Sequence, residues 1–331
     1  MQADWVKPCA EGIYVAPADL WIDPSLPKAF AAVTHGHADH ARGGHGRVWA
    51  TPETLDIMAL RYGTREGEAM AYGKVAEQGG VEISFHPAGH ILGSAQILLS
   101  YRGERVVVTG DYKRRFDPTC AMFTPIACDV LITEATFALP VFAHPPIEGE
   151  IARLLEARER FPDRAIIVGA YALGKAQRVI AELRRAGYDA PIYLHGAMEK
   201  MCALYESHGV PLGALLSATA EKGEKLAGQI IIAPPSALHD RWTRRFADPL
   251  LAMASGWMRI RQRARQKNID LPLVISDHAD WTELTETISE LRPSETWITH
   301  GRTDALTHWC EVNQLRARAL HMVGRDDEDE A

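Results

Sequence analysis

Apolar and polar positions follow two rhythms along this chain, and the rhythm changes twice. In the first part, short apolar runs are broken by turn residues. "GIYVAPADLWIDP", "AFAAVTH" and "VEISFHPAGH" predict strands, and "SAQILLSYRGERVVVTGD" predicts a hairpin turning at Arg102 and Gly103. Between them, "PETLDIMALRYG" reads as a helix opened by Pro52 and closed by Gly63. After "DVLITEATF" the texture changes. "PPIEGEIARLLEARERFPD" is an amphipathic helix, "RAIIVGAY" a buried strand and "GKAQRVIAELRRAGYD" a second helix. "APIYLHG" and "AMEKMCALYESHG" then repeat strand and helix, an alternation that predicts a parallel, doubly wound sheet. Around "LPLVISDHADW" and "ETWITHGR" the strand-then-polar-turn style returns. The pattern predicts a β-rich domain split by an inserted α/β domain. Its first part covers 1–145, the insertion 146–260, the return segment 261–325, and an acidic tail 326–331.

Composition narrows the class without naming it. At 331 residues, with 47% hydrophobic and 24% charged positions, the chain has an ordinary globular make-up. No apolar run approaches the roughly 20 residues that span a bilayer, and the N-terminus lacks a basic-then-apolar signal pattern. Five scattered cysteines at positions 9, 120, 128, 202 and 310 argue for reduced thiols and a cytoplasmic setting, and against a CxxC zinc site. The formal charge of −7 is inflated by the "DDEDEA" tail, whereas Arg241 to Lys267 is a basic run with few acids.

Chemistry enters at "VTHGHADHARGG". His35, His37, Asp39 and His40 stand within six positions where a strand ends, and Gly36 and Ala38 keep the spacers small. Imidazole nitrogen and carboxylate oxygen are the donors that zinc and similar ions take when thiolate is absent. Four more strand ends carry such groups: His90 in "PAGHILGS", Asp111 in "VVVTGDY", His278 in "VISDHADW" and His300 in "WITHGR". One histidine alone is most often a hydrogen-bonded core or surface residue. Five ligand-bearing motifs, all at the carboxyl ends of predicted strands, describe a metal site instead. At its strand end, Asp111 is placed to bridge two cations.

"THGHADH", "AGH" and "TGD", in that order, resemble the metallo-β-lactamase superfamily, and "TEATF", "SDHADW" and "THGR" resemble the added motifs of its β-CASP nuclease branch. The resemblance implies an α/β fold, an αββα sandwich with an inserted Rossmann-like β-CASP domain, holding two divalent ions, zinc first and manganese as the alternative. It implies that His35, His37 and His90 hold one ion, that Asp39, His40 and His300 hold the other, and that Asp111 bridges them. Glu134 matches the first added motif and His278 the second. "YALGKAQR" and "ASGWM" are further similar to bacterial exonucleases associated with DNA ligases. That likeness implies DNA, single-stranded or at ends, as substrate, and a functional association with a ligase and a helicase. RNA-processing relatives usually carry His-Gly-Glu where this chain has His300, Gly301 and Arg302.

The chemistry of phosphodiester hydrolysis assigns further roles. His278 is the candidate general acid for the departing sugar oxygen, and Glu134 the carboxylate that orients it. Asp39 belongs to both the ligand set and the catalytic set. For the polymer, Gly174 and Lys175 at a helix start, and Ser255, Gly256 and Arg259, are candidate phosphate contacts. Lys113, Arg114 and Arg115 extend the basic character just after Asp111. The leading expectation is a two-metal DNA exonuclease. A β-CASP ribonuclease, a small-molecule hydrolase of the same superfamily, and a nucleic-acid-binding scaffold without activity are the alternatives.

Overall fold

Val106 and Val108 face one way along their strand and Val107 the other, as the two-residue repeat of an extended chain requires. The same division separates Ile97 and Leu99 from Leu98, Val130 and Ile132 from Leu131, and Trp297 from Ile298. These strands belong to a seven-stranded sheet ordered Ala317–Ala319, Glu295–Ile298, Val130–Thr133, Glu104–Val108, Ala95–Tyr101, Val81–Pro87 and Val75–Gln78. Its inward set packs against Ile13, Val15, Leu20, Ile22 and Trp49 of a six-stranded sheet that runs from Val6–Cys9 to Glu68–Ala69. Outside the first sheet, Val107, Leu131 and Ile298 cluster with Leu284 and Ile288 of the Trp281–Leu291 helix and with Leu306 and Cys310 of the Thr303–Val312 helix. Outside the second, Val33, Val48 and Ala50 meet Leu55 and Met58 of the Pro52–Tyr62 helix. The layers are therefore helix, sheet, sheet, helix, the αββα sandwich. Each fully buried Leu, Ile or Val adds about 1.5–3 kcal/mol to it.

The structure, a computed structural model, describes residues 3–63 and 67–320, so the acidic tail at 326–331 lies outside the described residues. The chain divides into two compact units, Met1–Ala143 with His278–Ala331, and His144–Asp277. In the second unit all strand pairs are parallel, in the order Leu215–Ser217, Ile192–Leu194, Ile230–Ala233, Ile166–Gly169, Leu250–Ala254 and Leu271–Leu273. Helices Ile147–Arg160, Lys175–Arg185 and Gly196–Ser207 alternate with the strands, which makes it a doubly wound α/β unit. It continues past residue 260 because Leu271–Leu273 pairs with Leu250–Ala254, a tie that sequence texture does not reveal. Among the described residues, no helix is long and apolar enough to cross a membrane.

Local chemistry explains most boundaries. Thr51 caps the Pro52–Tyr62 helix by accepting from the Thr54 N–H, Pro52 sits where no donor is needed, and Gly63 closes it at φ 84°. Ala95–Tyr101 and Glu104–Val108 form the hairpin, with Arg102 and Gly103 both at positive φ. "GIYVAPADLWIDP" is not one strand but two, Gly12–Val15 and Leu20–Ile22. The tight turn Ala16–Ala18 intervenes, because Pro17 lacks an N–H to continue a ladder.

Parallel pairing decides where the polar ends fall. Glu104–Val108, Val130–Thr133 and Glu295–Ile298 run in the same direction, so Asp111, Glu134 and His300 leave the sheet at one edge. Leu20–Ile22, Phe30–Ala32 and Arg47–Ala50 are likewise parallel, and Asp23 and His35 follow the first two.

Candidate metal centre

Gly36 lets the loop after Phe30–Ala32 lie directly on the neighbouring helix. A Cβ there would come within 2.6 Å of Ile57 Cγ2, and the Arg61 guanidinium donates to the Gly36 carbonyl at 2.8 Å. The loop so seated turns its imidazoles inward, and His35, His37, His40 and His90 are all buried.

Of the groups of ligand-type side chains that result, which include Asp111 with Glu134 and His278, two take up the expected ligand set. His35, His37, His90 and Asp111 each offer one ligand-type atom, and these atoms lie within 4.8 Å of one another. His35 Nε2 is 3.2 Å from His37 Nδ1, which is 3.0 Å from His90 Nε2. Asp39, His40 and His300 form the second group on the same criterion. There the rings of His40 and His300 stack, centroids 5.1 Å apart and 13° from parallel. His300 holds a left-handed backbone, φ 58°, which side chains other than glycine seldom adopt. One atom joins the groups. Asp111 Oδ2 stands 3.4 Å from His35 Nε2, 3.8 Å from His90 Nε2 and 3.4 Å from His40 Nε2.

The donor set fits divalent cations. Buried Asp39 Oδ1 and Asp111 Oδ1 find no hydrogen-bond partner among the described residues, a costly arrangement for two carboxylate oxygens unless a cation answers them. Electrostatics agree. Burial opposes a charge on His40, yet Asp39, Asp111 and Asp23 together raise its pKa well above the ordinary histidine value. Burial likewise opposes the Asp111 charge, but His40, His278 and His35 bring its pKa well below the usual carboxylate range. Burial lowers His35 to about 4, reinforced by His40 and resisted by Asp111, so this ring stays neutral, the form that ligates metal. Carboxylates that draw a proton onto His40 would draw a cation equally.

Asp23 is a functional residue that sequence reasoning missed. It is 1% exposed, and its carboxylate accepts from the Thr34 N–H at 2.7 Å and the Thr34 hydroxyl at 2.6 Å. The same carboxylate faces His40 Nδ1 at 2.8 Å, while the Thr34 hydroxyl lies 3.0 Å from His35 Nδ1. Asp23 therefore engages Nδ1 of His40 directly and that of His35 through Thr34, which leaves Nε2 of both rings facing Asp111. The signal was a lone carboxylate after "LWI", which reads as an ordinary strand end. Asp23→Asn is expected to weaken metal binding by about 10–100-fold with the fold retained. Competition against a fluorescent chelator measures this, and wild-type affinity would refute the role.

Beside Asp111 stands a second pair. His278 Nδ1 lies 3.0 Å from Glu134 Oε2 and 3.9 Å from Asp111 Oδ2. Glu134 is 1% exposed and its other oxygen accepts from the Tyr112 N–H at 2.8 Å. Burial raises the Glu134 pKa, and the charge on His278 opposes that rise.

The candidates for polymer contact are placed differently. Lys175 is 2% exposed with Nζ 3.1 Å from Asp277 Oδ1, and the Gly174 N–H donates to Gln177 Oε1 at 2.8 Å. Both groups expected to hold phosphate have protein partners inside their own unit. Buried Ser255 caps a short helical turn by accepting from the Trp257 N–H, and Gly256 is buried beside it. Arg259 is exposed, as are Arg241, Arg244, Arg261, Arg265 and Lys267. Lys113, Arg114 and Arg115, read from sequence as basic groups for the polymer, instead pair with Glu283, Glu290 and Asp280.

Comparison with known proteins adds what this chain is similar to. No protein-family model matches the chain. It is 26% identical over 335 residues to a probable DNA ligase of Opitutus terrae, covering 98% of this chain and 32% of that protein. It is 30% identical over 222 residues to the transcription termination factor FttA of Methanosarcina mazei, covering 53% of this chain and 34% of that one. An RNase J-like protein of Methanocaldococcus jannaschii is 27% identical over 207 residues, 53% of this chain and 49% of the relative. These likenesses support a relationship to the β-CASP metallo-β-lactamase proteins. The chain spans about a third of the length of the first two proteins it matches. In fold it resembles a solved protein of unknown function from Enterococcus faecalis V583, with a TM-score of 0.55 at 16% identity over 81% of this chain and 74% of that one.

Proposed function

We propose that this chain is a divalent-metal-dependent nuclease that hydrolyses phosphodiester bonds, acting as an exonuclease on single-stranded DNA ends in repair. One observation carries the reading. A single carboxylate oxygen, Asp111 Oδ2, lies within 3.4–3.8 Å of histidine nitrogens from two donor groups, with the His278–Glu134 pair directly beside it. His35, His37, His90 and Asp111 would hold one ion, and Asp39, His40, His300 and Asp111 the other. When bound, two such ions supply Lewis acidity to the phosphoryl group and a nucleophile at neutral pH. Zinc suits the imidazole-rich set best, and manganese accepts the same donors.

The protein's own residues do the rest. Asp23 and Thr34 orient the imidazoles before substrate arrives, so no reorganisation is needed during the reaction. Glu134 holds His278 by Nδ1, which leaves Nε2 as the ring position that delivers a proton to the departing sugar oxygen. The exposed arginines of the second unit, Arg259 among them, would contact phosphates without reading sequence.

DNA rather than RNA is favoured by a relative that matches nearly the whole chain, a protein named a probable DNA ligase. A nuclease that trims ends is a natural companion of an enzyme that seals them, and a helicase would supply the single strands. Relatives named as ribonucleases, such as the endoribonuclease YSH1 of Mycosarcoma maydis, match 53–61% of the chain and make RNA the second reading. Matched DNA and RNA strands, labelled at either end and given zinc, manganese or magnesium, separate the two. The expected result is stepwise release from DNA, abolished by a chelator. Cleavage of RNA alone would transfer the protein to the ribonucleases, and no cleavage with two ions bound would leave a binding scaffold.

A further inference from the structure

Lys113 and Glu283 form an ion pair that the proposed chemistry does not use, and it is almost wholly buried. Lys113 is 3% exposed and Glu283 2%, with Nζ 3.1 Å from Oε2. Replacing such pairs by apolar residues is often neutral or stabilising, so stability alone gives little reason to keep one here. Its partners suggest another. Lys113 Nζ also donates to the backbone carbonyl of His278 at 3.1 Å. The carbonyl of the preceding residue, Tyr112, accepts from the Ala279 N–H at 2.6 Å. The His278 carbonyl and the Ala279 N–H are opposite poles of one peptide group. That group is gripped at both poles by consecutive residues of the segment that follows Asp111.

We infer that Lys113 is a positioning residue that sets the proposed general acid His278 against the metal-bridging Asp111, an inference that rests on the nuclease reading. A peptide plane held at both poles fixes ψ of His278, and with it the direction in which the imidazole leaves the backbone. Glu283 in turn locks the lysine. Its Oε1 accepts from the N–H groups of Arg114 and Arg115 at 2.9 and 2.8 Å, and its Oε2 accepts from the Asp280 N–H at 3.2 Å. Asp280 answers by capping the Glu283 N–H at 3.0 Å and pairing with Arg115 at 2.7 Å. The same lysine reaches the metal side through its backbone. Its N–H donates to the Ala88 carbonyl at 3.0 Å, two residues before His90. Gly89, at φ 75°, passes so close that a Cβ would lie 2.2 Å from the Lys113 carbonyl. One residue thus spaces a metal ligand and a proton donor.

The test compares Lys113→Met, which keeps length and removes the ammonium, with Glu283→Gln, which leaves the lysine without its locking charge. In Lys113→Met, both ions should remain by elemental analysis, kcat should fall about 100-fold, the usual cost of an ångström of misplacement, and KM should barely move. Adding Lys113→Met to His278→Ala should cost nothing further, because the lysine acts through that imidazole. Glu283→Gln should show the same pattern more weakly, and it decides the matter should Lys113→Met fail to fold. A second readout is independent of cleavage. The His278 ring signals in a spectrum of isotope-labelled histidine, identified by their loss in His278→Ala, should shift or broaden in either variant. Wild-type protein that carries two ions yet cuts neither DNA nor RNA would refute the nuclease reading, and the ring signals would still decide the clamp. Folded variants with wild-type kcat and unmoved His278 signals would overturn it.

Discussion

Asp111→Asn protein is expected to fold, to retain neither ion after dialysis, and to lose about three decades of hydrolytic rate. The substitution keeps the side chain's shape and removes its charge. Asp111 Oδ2 is shared by both donor groups, so a carboxamide in its place would present to both either a neutral oxygen, a much weaker ligand, or an N–H, which is none. Each ion would keep only imidazoles and, on one side, Asp39. Lewis-acid stabilisation of several kcal/mol is then forfeited, and at about 1.36 kcal/mol per decade this amounts to the expected loss. Elemental analysis of dialysed protein beside cleavage of end-labelled single-stranded DNA makes the measurement. Two ions still bound to Asp111→Asn would remove the bridging role and much of the case for a shared centre.

The His278→Ala protein should behave in the opposite way, with a full metal complement and little catalysis. The imidazole touches Glu134 and lies beside Asp111 without belonging to either of the two principal donor groups. A positioned general acid typically contributes about 10²–10⁴-fold, so kcat should fall by that factor. The decisive comparison uses two substrates. A sugar alkoxide needs a proton as it leaves, whereas p-nitrophenolate does not. Hydrolysis of a p-nitrophenyl phosphodiester should therefore be nearly spared while DNA cleavage collapses. Equal losses on both substrates would take the proton-donor role away from His278.

How much of this was legible in the sequence follows from how each residue is held. His35, His90, Asp111, Glu134 and His300 stand out because an apolar run ends abruptly in a polar group, and parallel pairing then gathers those ends at one edge. The β-rich domain split by an α/β insertion was legible in the rhythm of the chain, whereas the layered sandwich was implied by the resemblance, because continuous apolar runs such as "VVV" and "VLI" do not say which side chain meets which layer. Asp23 was not legible, because one carboxylate after a three-residue strand has no local pattern to mark it. Lys113, Arg114 and Arg115 misled for a related reason. Their acidic partners lie some 165–176 positions away on the Trp281–Leu291 helix, beyond any window that reads local charge. The start of the Lys175–Arg185 helix looked like a phosphate cradle because sequence gives the glycine and the lysine but not the buried Asp277 that takes the ammonium.

The first unit is built from two pieces of chain, with the second unit's residues between them. Domains form roughly in the order in which they leave the ribosome. Here the Glu295–Ile298 strand must dock beside Val130–Thr133 after the intervening residues have already been made. A growing chain holds His35 through Glu134 early, yet lacks His278 and His300 until the piece that follows the second unit emerges. The nascent protein therefore carries most of the proposed metal donors without the proposed proton donor His278 or the stacking imidazole of His300. Under the nuclease reading, hydrolytic competence waits on the piece of chain that follows the second unit, so products that stop short of it would be inert rather than hazardous to nearby nucleic acid.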